Sequence, residues 1–492
     1  MSQTAQTQAV AALVPHLRRV CGDDGVLTDT ARRRTYESDG LTHHRSVPGV
    51  VVLPTTADQV AAVVRLCADS GVPFVPRGAG TGLSAGALPH PGGVLLVTSR
   101  MRRVLEIDVD NECAVVEPGV ANLDVTRAAA PYGYYYAPDP SSQQVCSVGG
   151  NVAENSGGAH CLKYGFTVNH VRGLDVVTPS GERVSLGGKN PDAHGYDLVG
   201  AFVGSEGTLG VATSVTVGLT RAPERTVTLL FAFSSMDAGG QAVSSIIAAG
   251  VLPSAVEMMD ALAIEAAERA VACGYPEGAA AVLIVELDGP AAEVDAQAMA
   301  VTRLCAAAGA FETRTASGAE ERARIWKGRK SAFAAVGRIS PAYIVQDGVV
   351  PRTALPEVLH RITELSADSG IRVANVFHAG DGNLHPLVLF DDAEPGAAER
   401  AEEVSGAILD LCIEHGGSIT GEHGVGVDKA CKMPRMYGPD DLATFDLFRR
   451  ALDPGGIANP DKLLPTPRLC GERPGVRTGV HPLVESGRAE QF

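Results

Sequence analysis

Between residues 138 and 165 the chain reads Pro138-Asp139-Pro140-Ser141-Ser142, then Ser147-Val148-Gly149-Gly150-Asn151-Val152-Ala153-Glu154-Asn155-Ser156-Gly157-Gly158, then Lys163-Tyr164-Gly165. Small residues let backbone N–H groups come close to an anion. Two other segments share this character. Pro76-Arg77-Gly78-Ala79-Gly80-Thr81-Gly82-Leu83-Ser84 follows a predicted strand, and Gly204-Ser205-Glu206-Gly207-Thr208-Leu209-Gly210 precedes another. In the latter strand Val211, Thr213, Val215, Val217 and Leu219 fall on one face. Any one segment could be a structural turn. Three in one domain point to a dinucleotide laid across several backbone loops.

The loop at 76–82 is not a Rossmann fingerprint, which needs a helix directly after it. Its spacing is Gly-x-Gly-x-Gly, and Pro89, Pro91, Gly92 and Gly93 follow, so no helix can run on. A Walker loop fails for want of Gly-Lys-Ser/Thr. Around it, residues 49–99 read strand, helix, strand, loop, strand. Thr56 with Gln59 fits a capping box, Val60, Val63, Val64 and Cys67 form the inner helix face, and Gly71 stops it. Val10, Leu13, Val14 and Leu17 form a helix face near the N-terminus.

Pro223 marks a domain boundary. Beyond it, Val227–Phe233, Val256–Met258, Val282–Leu287 and Phe311–Arg314 are strand candidates separated by Ala-rich helical stretches. An antiparallel sheet with helices on one face is expected. A helix over about 401–415 ends at Gly416-Gly417.

The 492 residues are 45% apolar and 20% charged, enough for a large core in two or three domains. Gly (56) and Pro (30) exceed the usual share without a collagen period. A net charge of −16 disfavours nucleic acid as partner. No apolar run is long enough to span a membrane, and the N-terminus does not read as a secretory signal. The ten cysteines form no Cys-x-x-Cys pair, which argues against a structural zinc or iron–sulfur site and for reduced, packed thiols.

A second constellation lies in Val376-Phe377-His378-Ala379-Gly380-Asp381-Gly382-Asn383-Leu384-His385. If Asp381-Gly382 is a two-residue turn, His378 faces His385 directly. That spacing suits two imidazoles sharing a divalent metal. Thr420-Gly421-Glu422-His423-Gly424-Val425-Gly426 adds a carboxylate and a third imidazole. Two histidines in a hairpin are more often ordinary surface residues; Glu422-His423 between glycines tips the reading towards a site.

Together these motifs resemble the vanillyl-alcohol-oxidase flavoprotein superfamily, and within it the bacterial glycolate oxidase flavin subunit and D-lactate dehydrogenase family, over about residues 10–465. The resemblance implies an α+β fold. Residues 1–48 would be a helical segment packing on a PCMH-type FAD-binding domain of two α/β subdomains at 49–225. A C-terminal FAD-linked oxidase domain at 226–465 would hold an antiparallel sheet covered by helices, and 466–492 would be a peripheral tail. FAD would rest on Arg77, Gly78, Ala79, Gly80, Thr81, Gly82, Pro140, Ser141, Gly149, Gly150, Ala153, Asn155, Gly157, Gly158, Glu206, Gly207, Val211 and Asn459. Thr81 stands where some members attach flavin through His, so noncovalent FAD is implied.

By the same resemblance His378, His385 and Glu422 hold a divalent metal, zinc before iron or manganese, with His423 as general base and Asn383 in support. Arg329, in Trp326-Lys327-Gly328-Arg329-Lys330, would grip the substrate carboxylate. Relatives that act on D-2-hydroxyglutarate have Lys where this chain has Val345, before Gln346-Asp347, so a small monocarboxylate is implied. The expected activity is oxidation of glycolate or D-lactate, with electrons leaving through a quinone or through partner subunits, one flavin-binding and one iron–sulfur. The chain would be cytoplasmic, peripheral to the inner membrane through such a partner. The rival readings are a metal-dependent hydrolase, which leaves the glycine segments without a ligand, and a non-catalytic flavin-binding subunit, which would not need the His and Glu cluster.

Overall fold

A computed structural model describes residues 3–191 and 195–465; the tail expected at 466–492 lies outside the described residues. The chain forms two compact units, one of residues 1–157, 166–222 and 422 onward, the other of residues 158–165 and 223–421. These units depart from a linear division near 225. The stretch after 421 returns to the first unit, where Asn459 N donates to Phe74 O at 2.8 Å and Ala458 bridges Phe74 in parallel.

In the first unit, strands Val50–Val52 and Phe74–Arg77 pair in parallel with Val94–Val97, and Val26–Leu27 adds an antiparallel edge. Helix Ala57–Ser70 joins the first two because its sequence carries both stop signals. Thr56 Oγ accepts from Gln59 N at 3.2 Å, and Gly71 caps the far end at φ +62°. The Gln59 side chain reaches Thr55 N at 2.7 Å, one residue before the expected capping-box partner. Val60, Val63, Val64 and Cys67 pack with Val10, Leu13 and Leu17 of helix Gln3–Cys21. A second sheet is antiparallel, in the order Val104–Asp108, Cys113–Val116, Val211–Gly218, Val171–Val177, Arg183–Gly187.

The second unit is built on an eight-stranded antiparallel sheet. Its order is Glu312–Thr315, Arg225–Phe233, Ala281–Gly289, Ala255–Asp260, Val373–His378, Asn383–Phe390 and Ala342–Val345, with Gly348–Val349 beside the 383–390 strand. Helices cover both faces, not one. Leu229, Phe231 and Phe233 face a core shared with helices Met236–Ala248, Ala291–Ala307, Leu355–Ser369 and Ala397–Glu414. Leu230 and Ala232 face another, shared with helices Ala261–Val271 and Ala319–Ala335. The unbroken apolar run Leu229–Phe233 is the cause, since successive strand residues point to opposite faces and both must be buried.

Among the described residues eight cysteines are free and buried, as packed thiols should be. Among the described residues no helix is long and apolar enough to cross a membrane.

Candidate active site

In the first unit the glycine segments converge. A Cβ at Gly78 would lie 2.0 Å from Ser147 Oγ, and one at Gly207 (φ +69°) would lie 2.4 Å from the Pro76 ring. A Cβ is excluded at both positions, so the loops pack directly on one another. Ser147 caps helix Val148–Glu154 by accepting from Gly150 N at 3.2 Å. Asn122 holds the preceding segment, donating to Pro138 O and accepting from Asn151, both at 2.8 Å. Gly204 N and Glu206 N donate to Val152 O and Ala153 O, each at 2.8 Å, tying the third loop to the same helix.

The expected cofactor residues therefore gather, with differences of role. Arg77, Gly78, Gly80, Thr81, Gly82, Gly149, Gly150, Ala153 and Asn155 are partly accessible, while Ala79 and Ser141 are exposed and Pro140 and Gly157 are buried. Gly158 belongs to the other unit. Val211 is a buried strand residue paired with Val177. The Glu206 carboxylate is already engaged, accepting from Val425 N and Gly426 N at 2.7 Å each. Asn459 donates to Gly86 O at 2.9 Å and Glu206 O at 2.6 Å.

The same loops carry a cluster of buried charges. Burial, with the charges of Glu206 and Asp39, holds the Glu154 carboxyl well above its usual range. Burial also raises Glu206, against the pull of its two amides and of Lys429 and Lys462. Asp39 is pushed up to about 6 by burial, although Leu41 N and Arg77 oppose it. Lys462 is pushed down to about 8 by burial. A Cβ on Gly424 would lie 2.1 Å from Glu154 Oε2, so the turn carrying Glu422 and His423 is seated on Glu154 and Glu206. Glu422 and His423 are themselves close, 3.9 Å from Oε1 to Nε2.

In the second unit the His378/His385 hairpin has a different register from the one expected. His378 pairs with Asn383, and His385 pairs with Val376. The turn takes four residues, 379–382, because Gly382 adopts φ +85° and sits where a Cβ would meet Val350 O at 2.1 Å. The histidines are thus diagonal neighbours on one face, a separation that rings can bridge. Their centroids are 5.1 Å apart, edge to face.

Both rings are held through Nδ1. Glu257, across the ladder from His378 and 0% exposed, accepts from His378 Nδ1 at 2.7 Å. Gln346 O accepts from His385 Nδ1 at 3.3 Å, with Asp347 Oδ1 at 3.9 Å. With Nδ1 engaged on each, a metal would be taken by Nε2, the usual arrangement of metal-bound imidazoles. Asp347 also accepts from Thr420 Oγ at 2.6 Å and Gly421 N at 3.0 Å, anchoring the chain one residue before Glu422. Asn383 packs on Gly421, where a Cβ would lie 2.5 Å from its Nδ2.

Arg329 is 2% exposed, and its Nη2 lies 2.6 Å from Glu257 Oε2, an ion pair whose angle is not that of an aligned hydrogen bond. Its guanidinium stands 5.9 Å above the Phe333 ring. Val345 is buried in the apolar core against that helix. Higher on the same helix, Arg322 and Trp326 bind Glu286, which also accepts from Thr228 and contacts His160 at 3.2 Å. Burial alone would raise Glu286, yet His160 and Arg322 hold it far below its usual range. Glu257, Glu286, Glu154 and Lys429 escaped motif reading; the signal was a charged residue inside an apolar strand or small-residue run.

Two compact units of this kind, one of glycine loops on small sheets and one built on an antiparallel sheet, make up the fold of FAD-linked oxidases. Solved structures share it: p-cresol methylhydroxylase with substrate bound (TM-score 0.77, 18% identity, 94% of this chain and 97% of that one) and the 4-ethylphenol oxidase from Gulosibacter chungangensis (0.75, 20%, 93% and 98%). The FAD binding domain model matches residues 48–187, and the model of the C-terminal domain of FAD linked oxidases matches 222–463. Glycolate oxidase subunit GlcD of Escherichia coli (strain K12) is 48% identical over 96% of this chain and 93% of its own length; that of Bacillus subtilis (strain 168) is 38% identical over 91% and 95%. The mitochondrial D-lactate dehydrogenase [cytochrome] of Arabidopsis thaliana is 30% identical over 94% and 82%. The chain belongs to the glycolate oxidase flavin-subunit and D-lactate dehydrogenase family of FAD-linked oxidases. It is an FAD-dependent oxidoreductase, which removes the hydrolase reading.

Proposed function

We propose that this chain oxidises a small D-2-hydroxy acid, glycolate or D-lactate, to the 2-oxo acid. The observation that carries the reading is the buried set in the second unit: two Nδ1-anchored imidazoles, His378 and His385, with Arg329 joined to His378 through the Glu257 carboxylate. The similarity to glycolate oxidase subunits supports the substrate class.

FAD, which the glycine loops would hold noncovalently, would supply the two-electron acceptor for such an oxidation. The small-residue loops, packed on one another at Gly78 and Gly207 where no Cβ fits, suit backbone contact with such a ligand. His378, His385 and Glu422 would hold a divalent metal, with zinc, iron and manganese all compatible with that donor set. Such an ion lowers the pKa of a bound hydroxyl. His423 would take the hydroxyl proton, and Arg329 would orient the carboxylate. Val345 brings no second cation, which favours a monocarboxylate. Electrons leave to a partner iron–sulfur subunit or a quinone, with a flavin-binding subunit completing the assembly. The chain then works in the cytoplasm, at the inner membrane through its partner.

Anaerobic mixing with glycolate, D-lactate, L-lactate and D-2-hydroxyglutarate tests this. Glycolate or D-lactate should bleach the oxidised flavin band; bleaching by L-lactate alone, or by none of them, refutes the reading.

A further inference from the structure

Glu257 has no place in any motif, yet it is a fully enclosed charged group beside the histidines. It lies on strand Ala255–Asp260 at 0% exposure, and its two carboxylate oxygens serve different elements. Oε1 accepts from His378 Nδ1 at 2.7 Å, while Oε2 lies 2.6 Å from Arg329 Nη2 on helix Ala319–Ala335. A buried carboxylate persists only where opposite charge and hydrogen bonds replace water. His385 differs: its Nδ1 is held by the neutral Gln346 carbonyl at 3.3 Å, with the Asp347 carboxylate farther off at 3.9 Å.

We propose that Glu257 is the positioning residue of this site. Its Oε1 fixes His378 as the Nδ1–H tautomer, presenting the Nε2 lone pair to a divalent metal, and its Oε2 holds the Arg329 guanidinium at a set distance from that ring. The inference rests on the metal reading above and adds a residue to it. A carboxylate behind one imidazole makes that ring the stronger donor of the pair, and loss of such an orienting group weakens metal binding by about 10–100-fold.

The test uses the full-length, FAD-loaded protein, stripped of metal and titrated with zinc against a chromogenic chelator. Three variants are compared: Glu257→Gln, Glu257→Gln with Arg329→Met, and His385→Ala. The double variant removes the guanidinium that the single one would leave buried without its carboxylate, so a folded protein is available for the measurement. Both Glu257 variants should bind zinc about 10–100-fold more weakly, with an unchanged oxidised-flavin spectrum. Saturating zinc should restore substrate-driven flavin bleaching in Glu257→Gln, which a merely structural role would not predict. Wild-type zinc affinity in both Glu257 variants, with affinity lost in His385→Ala, overturns the role of Glu257 and leaves the metal reading standing. Equal zinc affinity in wild type and His385→Ala overturns the metal reading and this inference with it.

Discussion

Replacing Glu206 with Ala separates two readings of one residue. Sequence resemblance puts Glu206 along the cofactor, whereas its two oxygens each accept a backbone amide, Val425 N and Gly426 N, at 2.7 Å. The side chain is 4% exposed, so its removal takes the charged acceptor away from both buried amides. Hydrogen bonds to a charged group contribute about 1.5–3 kcal/mol each. Burial raises the Glu206 pKa and so works against that gain, which makes the lower end the better estimate, ~3 kcal/mol for the two. At a tenfold change per ~1.4 kcal/mol, local opening of the 422–427 turn should become on the order of 100-fold more frequent. Hydrogen exchange with mass spectrometry on a peptide spanning 422–432 reads this directly. Protection at Val425 and Gly426 should fall by that factor while FAD content holds, and flavin bleaching should slow because His423 sits on the same turn. Unchanged protection with loss of FAD would refute the argument and return Glu206 to the cofactor.

Gly207→Ala must shift the Pro76 ring, 2.4 Å from the new Cβ, and bears the cost of φ +69°; ~1–3 kcal/mol and reduced FAD content are expected, measured by flavin fluorescence after gel filtration. His385→Ala should keep its yellow colour but lose metal, and substrate should no longer bleach it; metal analysis beside the flavin spectrum checks both. Glu286 has its pKa depressed in the folded chain, so its contribution is present above the unfolded carboxylate range near 4.5 and fades as pH falls below it. The stability gap between wild type and Glu286→Gln in urea should therefore shrink as pH falls below about 4.5. A gap that widens in acid would contradict the ion-pair assignment.

The sequence by itself determined the punctuation of this protein. Gly71 stops a helix, the prolines after residue 88 forbid a Rossmann helix, and glycines at 78 and 207 mark backbones that must approach one another. These are local properties, decided by φ, by a missing N–H or by the absence of Cβ, and they are legible one residue at a time. The paired histidines were legible too, but their register was not. Whether a turn takes two residues or four depends on what packs on it, here Val350 O against Gly382, and that moved His378 from facing His385 to facing Asn383.

Tertiary structure also decided the roles of the buried charges. Glu257, Glu286 and Glu206 each sit in sequence as a lone acid among small or apolar residues, and their partners come from distant positions: Arg329 and His378, Arg322 and His160, Val425 and Gly426. The energy of a carboxylate depends on whether cations and amides surround it after water has gone. No window of sequence contains that information, because the groups that supply it meet only when the chain has folded.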